Sequence, residues 1–219
     1  MREERGGHPH ANKLPMTSRL LAAAIALAAV AHATAAPEQV LVLGAHHSGT
    51  SIASRALSEL GLHLGDTPSL LLDETNPLKF WERRDVVQAN QARLTRGTPV
   101  AMRDALHAHA SSVPSFVGFG FEPALGTPLN TSADAREALR QLEKQRPWAT
   151  KDPRLSLLAA EWLTMLEKDA VCVITVRHPL DFASSMLSYS SALSLHHWTS
   201  IWLHYMSSAM RACDRPVGA

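Results

Sequence analysis

The chain is poor in cysteine, in net charge and in metal-ligand patterns, and each shortage removes a class of function. Two cysteines, Cys172 and Cys213, cannot by themselves make a disulfide framework or a cysteine-based zinc site. Lysine and arginine total 21 against 20 acidic residues, a net charge of +1. That balance excludes a protein that coats nucleic acid through bulk charge, and no nucleic-acid partner is expected. The twelve histidines are scattered, with no HExxH pattern. A metalloenzyme is therefore a poor starting point, and no metal is expected. Internal repeats are absent too. What remains is ordinary globular material: 219 residues, 46% hydrophobic and 19% charged, enough for one domain with a sizeable core.

The first 36 residues stand apart. Arg2, Arg5, Lys13 and Arg19 precede an uncharged run from Leu20 to Ala36. Its apolar heart, Leu20 to Ala31, has the length of a signal-peptide h-region and falls short of the ~20 residues of a comfortable membrane span. Ala33 and Ala35 make an A-x-A cleavage pattern ahead of Pro37. Residues 1–36 are expected to be a signal peptide or signal anchor, with a transit peptide or a buried Ala-rich helix as alternatives. Four of the basic and two of the acidic residues lie in this segment, so the body is close to neutral.

In the body, Gln39 to Leu43 (QVLVL) reads as a buried parallel strand. A helix follows from Thr50, with Ile52, Ala53, Ala56, Leu57 and Leu60 on one face and Gly61 as its stop. Trp81 to Leu94 reads as a helix. Thr98 to Ser132 has no period and is expected to be an insertion or lid. Ala133 to Gln145 is expected to be an exposed helix, and Trp148 to Thr150 a second strand. Leu155, Leu158, Ala159, Trp162, Leu163 and Leu166 recur at helical spacing. Ala170 to Val176 (AVCVITV) is the most strand-like segment. Pro179 opens another helix, and Trp198, Ile201, Trp202, Tyr205, Met206 and Ala209 form a last apolar stripe. Strands alternating with helices predict an α/β fold with a central parallel sheet.

The junction after the first strand reads Gly44-Ala45-His46-His47-Ser48-Gly49-Thr50-Ser51. A turn there presents backbone N–H groups beside the positive end of a helix dipole, which suits a phosphate or sulfate. Its spacing is G-x-x-x-x-G-x-[ST], the P-loop template with Thr50 where the lysine belongs. The later strand runs into Arg177, where a nucleotidase would carry a magnesium-binding aspartate. An ATPase or GTPase thus fits the first motif in part and misses the second. Arg177 and Ser185, eight residues apart, can form a second anion site: a guanidinium clamp and a hydroxyl donor.

With these two sites the sequence resembles the sulfotransferases that use 3′-phosphoadenosine 5′-phosphosulfate (PAPS). That family has a (K/R)-S-G-T-(S/T) loop after the first strand for the 5′-phosphosulfate and an R-x7-S element for the 3′-phosphate. Leu64–Asp66 (LGD), Asn76–Glu82 (NPLKFWE), Lys151–Arg154 (KDPR) and Val176–Met186 (VRHPLDFASSM) look like segments of its bacterial-type and carbohydrate or protein members, in the same order. The likeness runs from Gln39 to Arg211. It implies a P-loop-like three-layer α/β/α fold for residues 37–219, PAPS as co-substrate and a hydroxyl-bearing acceptor such as a carbohydrate, tyrosine or small molecule. His47, Ser48, Gly49, Thr50, Ser51, Arg177 and Ser185 would hold the nucleotide. His47 and Lys151 would support the sulfuryl group and leaving phosphate, and Glu82 would take the acceptor's proton.

Two departures from the family pattern stand out. His47 replaces the family's lysine or arginine, and the chain stops about where a further strand and C-terminal region are expected. The alternatives are a kinase-like P-loop phosphotransferase and a catalytically degenerate nucleotide-binding protein. PAPS reaches the Golgi lumen in eukaryotic cells, so the N-terminal segment and the sequon Asn130-Thr131-Ser132 point to the secretory pathway, possible membrane association included, with a plastid or other organelle as the alternative.

Overall fold

A computed structural model describes residues 37–71, 81–96, 129–167, 170–189 and 193–214, all within the compact unit Pro37–Ala219. The N-terminal segment, most of the expected lid and the Asn76–Phe80 part of the NPLKFWE segment lie outside them.

Three parallel strands, β1 (Gln39–Leu43), β2 (Trp148–Lys151) and β3 (Val171–Ile174), form a sheet in the order β2-β1-β3. Val40 pairs with Ala149 on one side and Val171 on the other. β1 is central, and all five of its residues are buried, as an apolar run flanked by strands on both edges demands. β3 is shorter than the AVCVITV run and is the opposite edge of the described sheet, so Val171 at its start is exposed.

Six α-helices accompany the sheet among the described residues: α1 (Thr50–Glu59), α2 (Arg84–Arg96), α3 (Ala133–Leu142), α4 (Leu155–Leu163), α5 (Pro179–Tyr189) and α6 (Leu195–Cys213). The result is a mixed α/β fold. α1 lies against β1 and β2, α4 against β1, and α6 against β3, α4 and α5. In α4 the expected apolar stripe is buried together with Ser156 and Leu157, because the helix is covered on more than one side. Leu166 falls beyond its end. In α6, Trp198, Ile201, Tyr205, Met206 and Ala209 are buried as their spacing requires, and Ser194 caps the helix by accepting from the His197 N–H.

Two expectations about helix faces are corrected. α1 turns Thr50, Ser54 and Leu57 inward and leaves Ile52 and Leu60 in solvent. Small polar side chains let this helix approach the sheet closely, and that contact outweighs the wider apolar stripe. Its end is as expected: Gly61, at φ 94°, donates to Ser58 O while Leu62 N–H reaches Leu57 O, the paired bonds of a glycine C-terminal cap. α3 is not an exposed helix, since Ala135, Ala138 and Leu142 are buried. Small alanines kept that face from reading as apolar in the sequence.

Tertiary structure also joins Cys172 and Cys213 in a disulfide, tying β3 to the last turn of α6. Their number says nothing about this pairing. Only the packing of α6 beside β3 brings them together.

Candidate functional site

Because the three strands are parallel, their carboxyl ends meet at one edge of the sheet. The Gly44–Thr50 loop leaves β1 there, Lys151–Arg154 leaves β2, and Thr175–His178 leaves β3. Ligands of open α/β sheets bind at this edge.

The loop is held from below. Ser156 Oγ, at the start of α4, accepts from the Gly44 N–H at 2.8 Å and donates to the Gly44 carbonyl at 3.1 Å. Gly44 has φ 149°, and a Cβ there would collide with Thr175 Oγ1 and lie 2.7 Å from Ser48 Oγ, so no larger residue fits between β1 and β3. Ser48 is turned inward: its hydroxyl donates to Ala45 O at 2.5 Å and lies 3.1 Å from Thr175 Oγ1, and its N–H also goes to Ala45 O. Both of its donors are thus spent on shaping the loop.

The mouth of the loop differs. Gly49, at φ 95°, is the N-cap of α1, and this helix start has no side-chain cap. A Cβ built on Gly49 meets no atom within 4 Å. Thr50 is buried at 4% exposure, yet its Oγ1 has no hydrogen-bond partner among the described residues. A buried hydroxyl without a partner costs about 1–3 kcal/mol, so an acceptor supplied from outside would relieve it. Uncapped helix N–H groups, a glycine with open surroundings and an orphaned hydroxyl together fit an anion.

His47 sits on the rim with φ 55° and joins the loop to the β3–α5 junction. Its Nδ1 is 3.0 Å from Ser185 Oγ on α5, and its carbonyl accepts from Arg177 Nη1 at 2.9 Å. Arg177 is placed in turn by Trp202 of α6, whose indole N–H donates to the Arg177 carbonyl at 2.9 Å. The two groups of the expected second anion site thus converge on His47. Partial burial, then the Arg177 and Lys151 cations, hold its imidazole below the usual histidine range.

Lys151 and Glu82 form a separate unit. Lys151 Nζ lies 2.6 Å from Glu82 Oε1 and 3.3 Å from Ser51 Oγ, with both partners of the ion pair buried. Burial raises the Glu82 carboxyl above the usual carboxylate range, and the Lys151 ammonium opposes that rise. Glu82 is buried just ahead of α2, and the adjacent Asp152 has partners of its own. Asp152 accepts from Arg154 Nε at 3.1 Å and from Asn90 Nδ2 at 2.8 Å, while Asn90 Oδ1 accepts from the Trp162 indole at 2.7 Å. This buried network lies beside His46, whose imidazole is held well below the usual histidine range by burial, then by the Arg154 and Lys151 cations. The KDPR segment thus splits: its lysine faces the loop and the rest anchors α2 and α4.

No family model, curated protein or solved structure matches this chain.

Sequence reasoning missed Thr175 and Ser156. Small hydroxyl residues carry no periodic or charge signal, and their role depends on which strand end they face. Asp73 and Glu74, further candidate bases beside Glu82, lie outside the described residues.

Proposed function

We propose that this chain is a PAPS-dependent sulfotransferase of P-loop-like fold, moving a sulfuryl group to an acceptor hydroxyl. The observation that carries the reading is the convergence of Arg177 and Ser185 on the rim of an uncapped β1–α1 loop. Two groups suited to phosphate stand beside a helix start suited to another anion. A nucleotide with separated 5′ and 3′ anions matches that arrangement, and a nucleotide with one phosphate cluster uses half of it.

In this reading the Gly49 and Thr50 amides, the Thr50 hydroxyl and Ser51 receive the 5′ phosphosulfate, and Arg177 with Ser185 receives the 3′-phosphate. Sulfuryl transfer needs donor and acceptor held in line and charge stabilised on the departing phosphate. His47, within the loop, and Lys151, 3.3 Å from Ser51 Oγ, are the candidates to support the sulfuryl group and the departing phosphate. Glu82, bound to Lys151, is the candidate base. Its raised proton affinity suits proton uptake, and Lys151 sets how far that rise goes.

The secretory route belongs to the same proposal. The Cys172–Cys213 disulfide persists in oxidising compartments and is rare in the cytosol, and Asn130 of the sequon is exposed on a short turn. A glycan on Asn130 in a eukaryotic host supports this route. An unglycosylated chain that keeps Met1 and fractionates with the cytosol defeats it.

Calorimetry with adenosine 3′,5′-bisphosphate tests the function. The wild type should bind it well ahead of AMP, and ligand at ~100 times its dissociation constant should stabilise the fold by about 2.7 kcal/mol. Arg177→Ala should lose most of the preference over AMP, since a hydrogen bond to a charged group is worth roughly 1.5–3 kcal/mol. Equal binding of AMP by the wild type overturns the two-site reading.

A further inference from the structure

We propose that His47 makes occupation of the two anion sites a proton-uptake event, so that nucleotide affinity falls as pH rises through neutrality. The inference rests on the nucleotide reading above and adds a regulation to that site.

Geometry carries the argument. His47 bridges the loop and the Arg177/Ser185 pair, through its backbone carbonyl to Arg177 and its side-chain Nδ1 to Ser185. The Nδ1···Oγ contact can run either way. With a neutral ring whose Nδ1 carries a lone pair, the Ser185 hydroxyl donates to His47 and its proton is committed. When the ring takes a proton from solvent, Nδ1–H donates to Ser185 Oγ. The serine proton is then released and can point at an anion. One proton thus does two things: it places a positive charge at the loop rim and turns Ser185 from a donor to histidine into a donor to ligand.

The groups around His47 set the direction. Arg177 from the β3–α5 junction, Lys151 from the end of β2 and His46 from its own loop face it, while α5 contributes the uncharged Ser185 and the first turn of α1 carries no acid. Partial burial, then the Arg177 and Lys151 cations, disfavour the charged ring when no anion is bound. Two bound anionic groups reverse that field and favour the imidazolium. Linkage then requires affinity to be full at pH values below the free ring's pKa and to decline as pH rises through that of the complex.

The test uses the full chain and adenosine 3′,5′-bisphosphate, with pyrophosphate as a second probe. Binding is measured by calorimetry from about pH 6 to pH 8 in buffers of differing ionisation enthalpy, so that protons are counted. The phosphates titrate near pH 6 themselves with the opposite sign, so the readout is the difference between wild type and His47→Gln. The wild type should take up a fraction of a proton more than His47→Gln near pH 7. Its affinity should weaken by about tenfold relative to that variant across the range. His47→Lys should bind with a pH dependence no steeper than that of His47→Gln. Equal proton uptake by wild type and His47→Gln overturns the inference and leaves the nucleotide reading standing. If neither probe binds the wild type, both fall.

Discussion

Removing the Lys151 ammonium is the sharpest perturbation of the site's electrostatics. Lys151 is 2% exposed and Glu82 is 8% exposed, with 2.6 Å between Nζ and Oε1. Lys151→Met keeps the length and volume of the side chain and leaves Glu82 buried without its countercharge. Breaking one side of a buried pair costs about 3–5 kcal/mol, whereas replacing both charges by neutral groups of similar size is often close to neutral. For a domain of this size 1 kcal/mol moves Tm by roughly 2–4 °C, so Lys151→Met should lower Tm by about 6–20 °C near pH 7.5.

The pH dependence identifies the cause. Burial already raises the Glu82 carboxyl in the wild type, and loss of Lys151 removes the main influence pulling it down. A carboxyl whose folded pKa lies above its unfolded pKa binds more protons in the folded state. Stability then falls as pH rises between those two values. Lys151→Met should therefore recover part of its deficit as pH drops from 7.5 towards 5, while the wild type changes less over the same window. The double variant Glu82→Gln/Lys151→Met should regain most of the Tm at pH 7.5. Thermal unfolding of the three proteins at several pH values decides the matter. A deficit independent of pH, or a double variant no better than Lys151→Met, would refute the uncompensated-carboxylate argument.

Further outcomes follow from the loop and the disulfide. Gly49→Ala should cost about 1–2 kcal/mol, because the left-handed φ of 95° is strained for any residue with a Cβ although no atom obstructs it. Gly44→Ala should cost clearly more, since its Cβ meets Thr175 and Ser48. Urea denaturation with the two ranked alike would contradict the difference in packing. Replacing Cys172 and Cys213 together by alanine should cost about 4 kcal/mol, the loop-entropy value for a cross-link spanning 41 residues. Two titratable thiols in the unreduced protein would show that this bond does not form.

Much of the architecture follows from short-range pattern alone. After Gln39, QVLVL is apolar on every residue and belongs between two strands, where β1 lies. The stripe from Trp198 to Ala209 recurs at helical spacing, and the helix that forms buries it against its neighbours. Gly61 ends α1 because its left-handed φ suits glycine, and the spacing from Gly44 to Thr50 marks a strand-to-helix turn before any coordinate is known. These features are local: hydrophobic period, backbone freedom and the orphaned donors of a helix start are properties of a few consecutive residues.

Tertiary structure alone decided which distant groups meet. Lys151 pairs with Glu82, 69 residues away, although Asp152 is its neighbour in sequence, because adjacent residues on an extended segment point to opposite sides. α1 buries Thr50 and Ser54 in preference to Ile52, since the sheet it approaches, and no internal period, selects the inward face. Strand order places β3 beside β1, so Arg177, Ser185 and Thr175 reach the first loop across more than 120 residues of chain. The same order sets α6 against β3 and closes Cys172 onto Cys213. A sequence pattern states which residues seek burial or a partner. The parallel sheet, by gathering its carboxyl ends at one edge, determines which partner each of them finds.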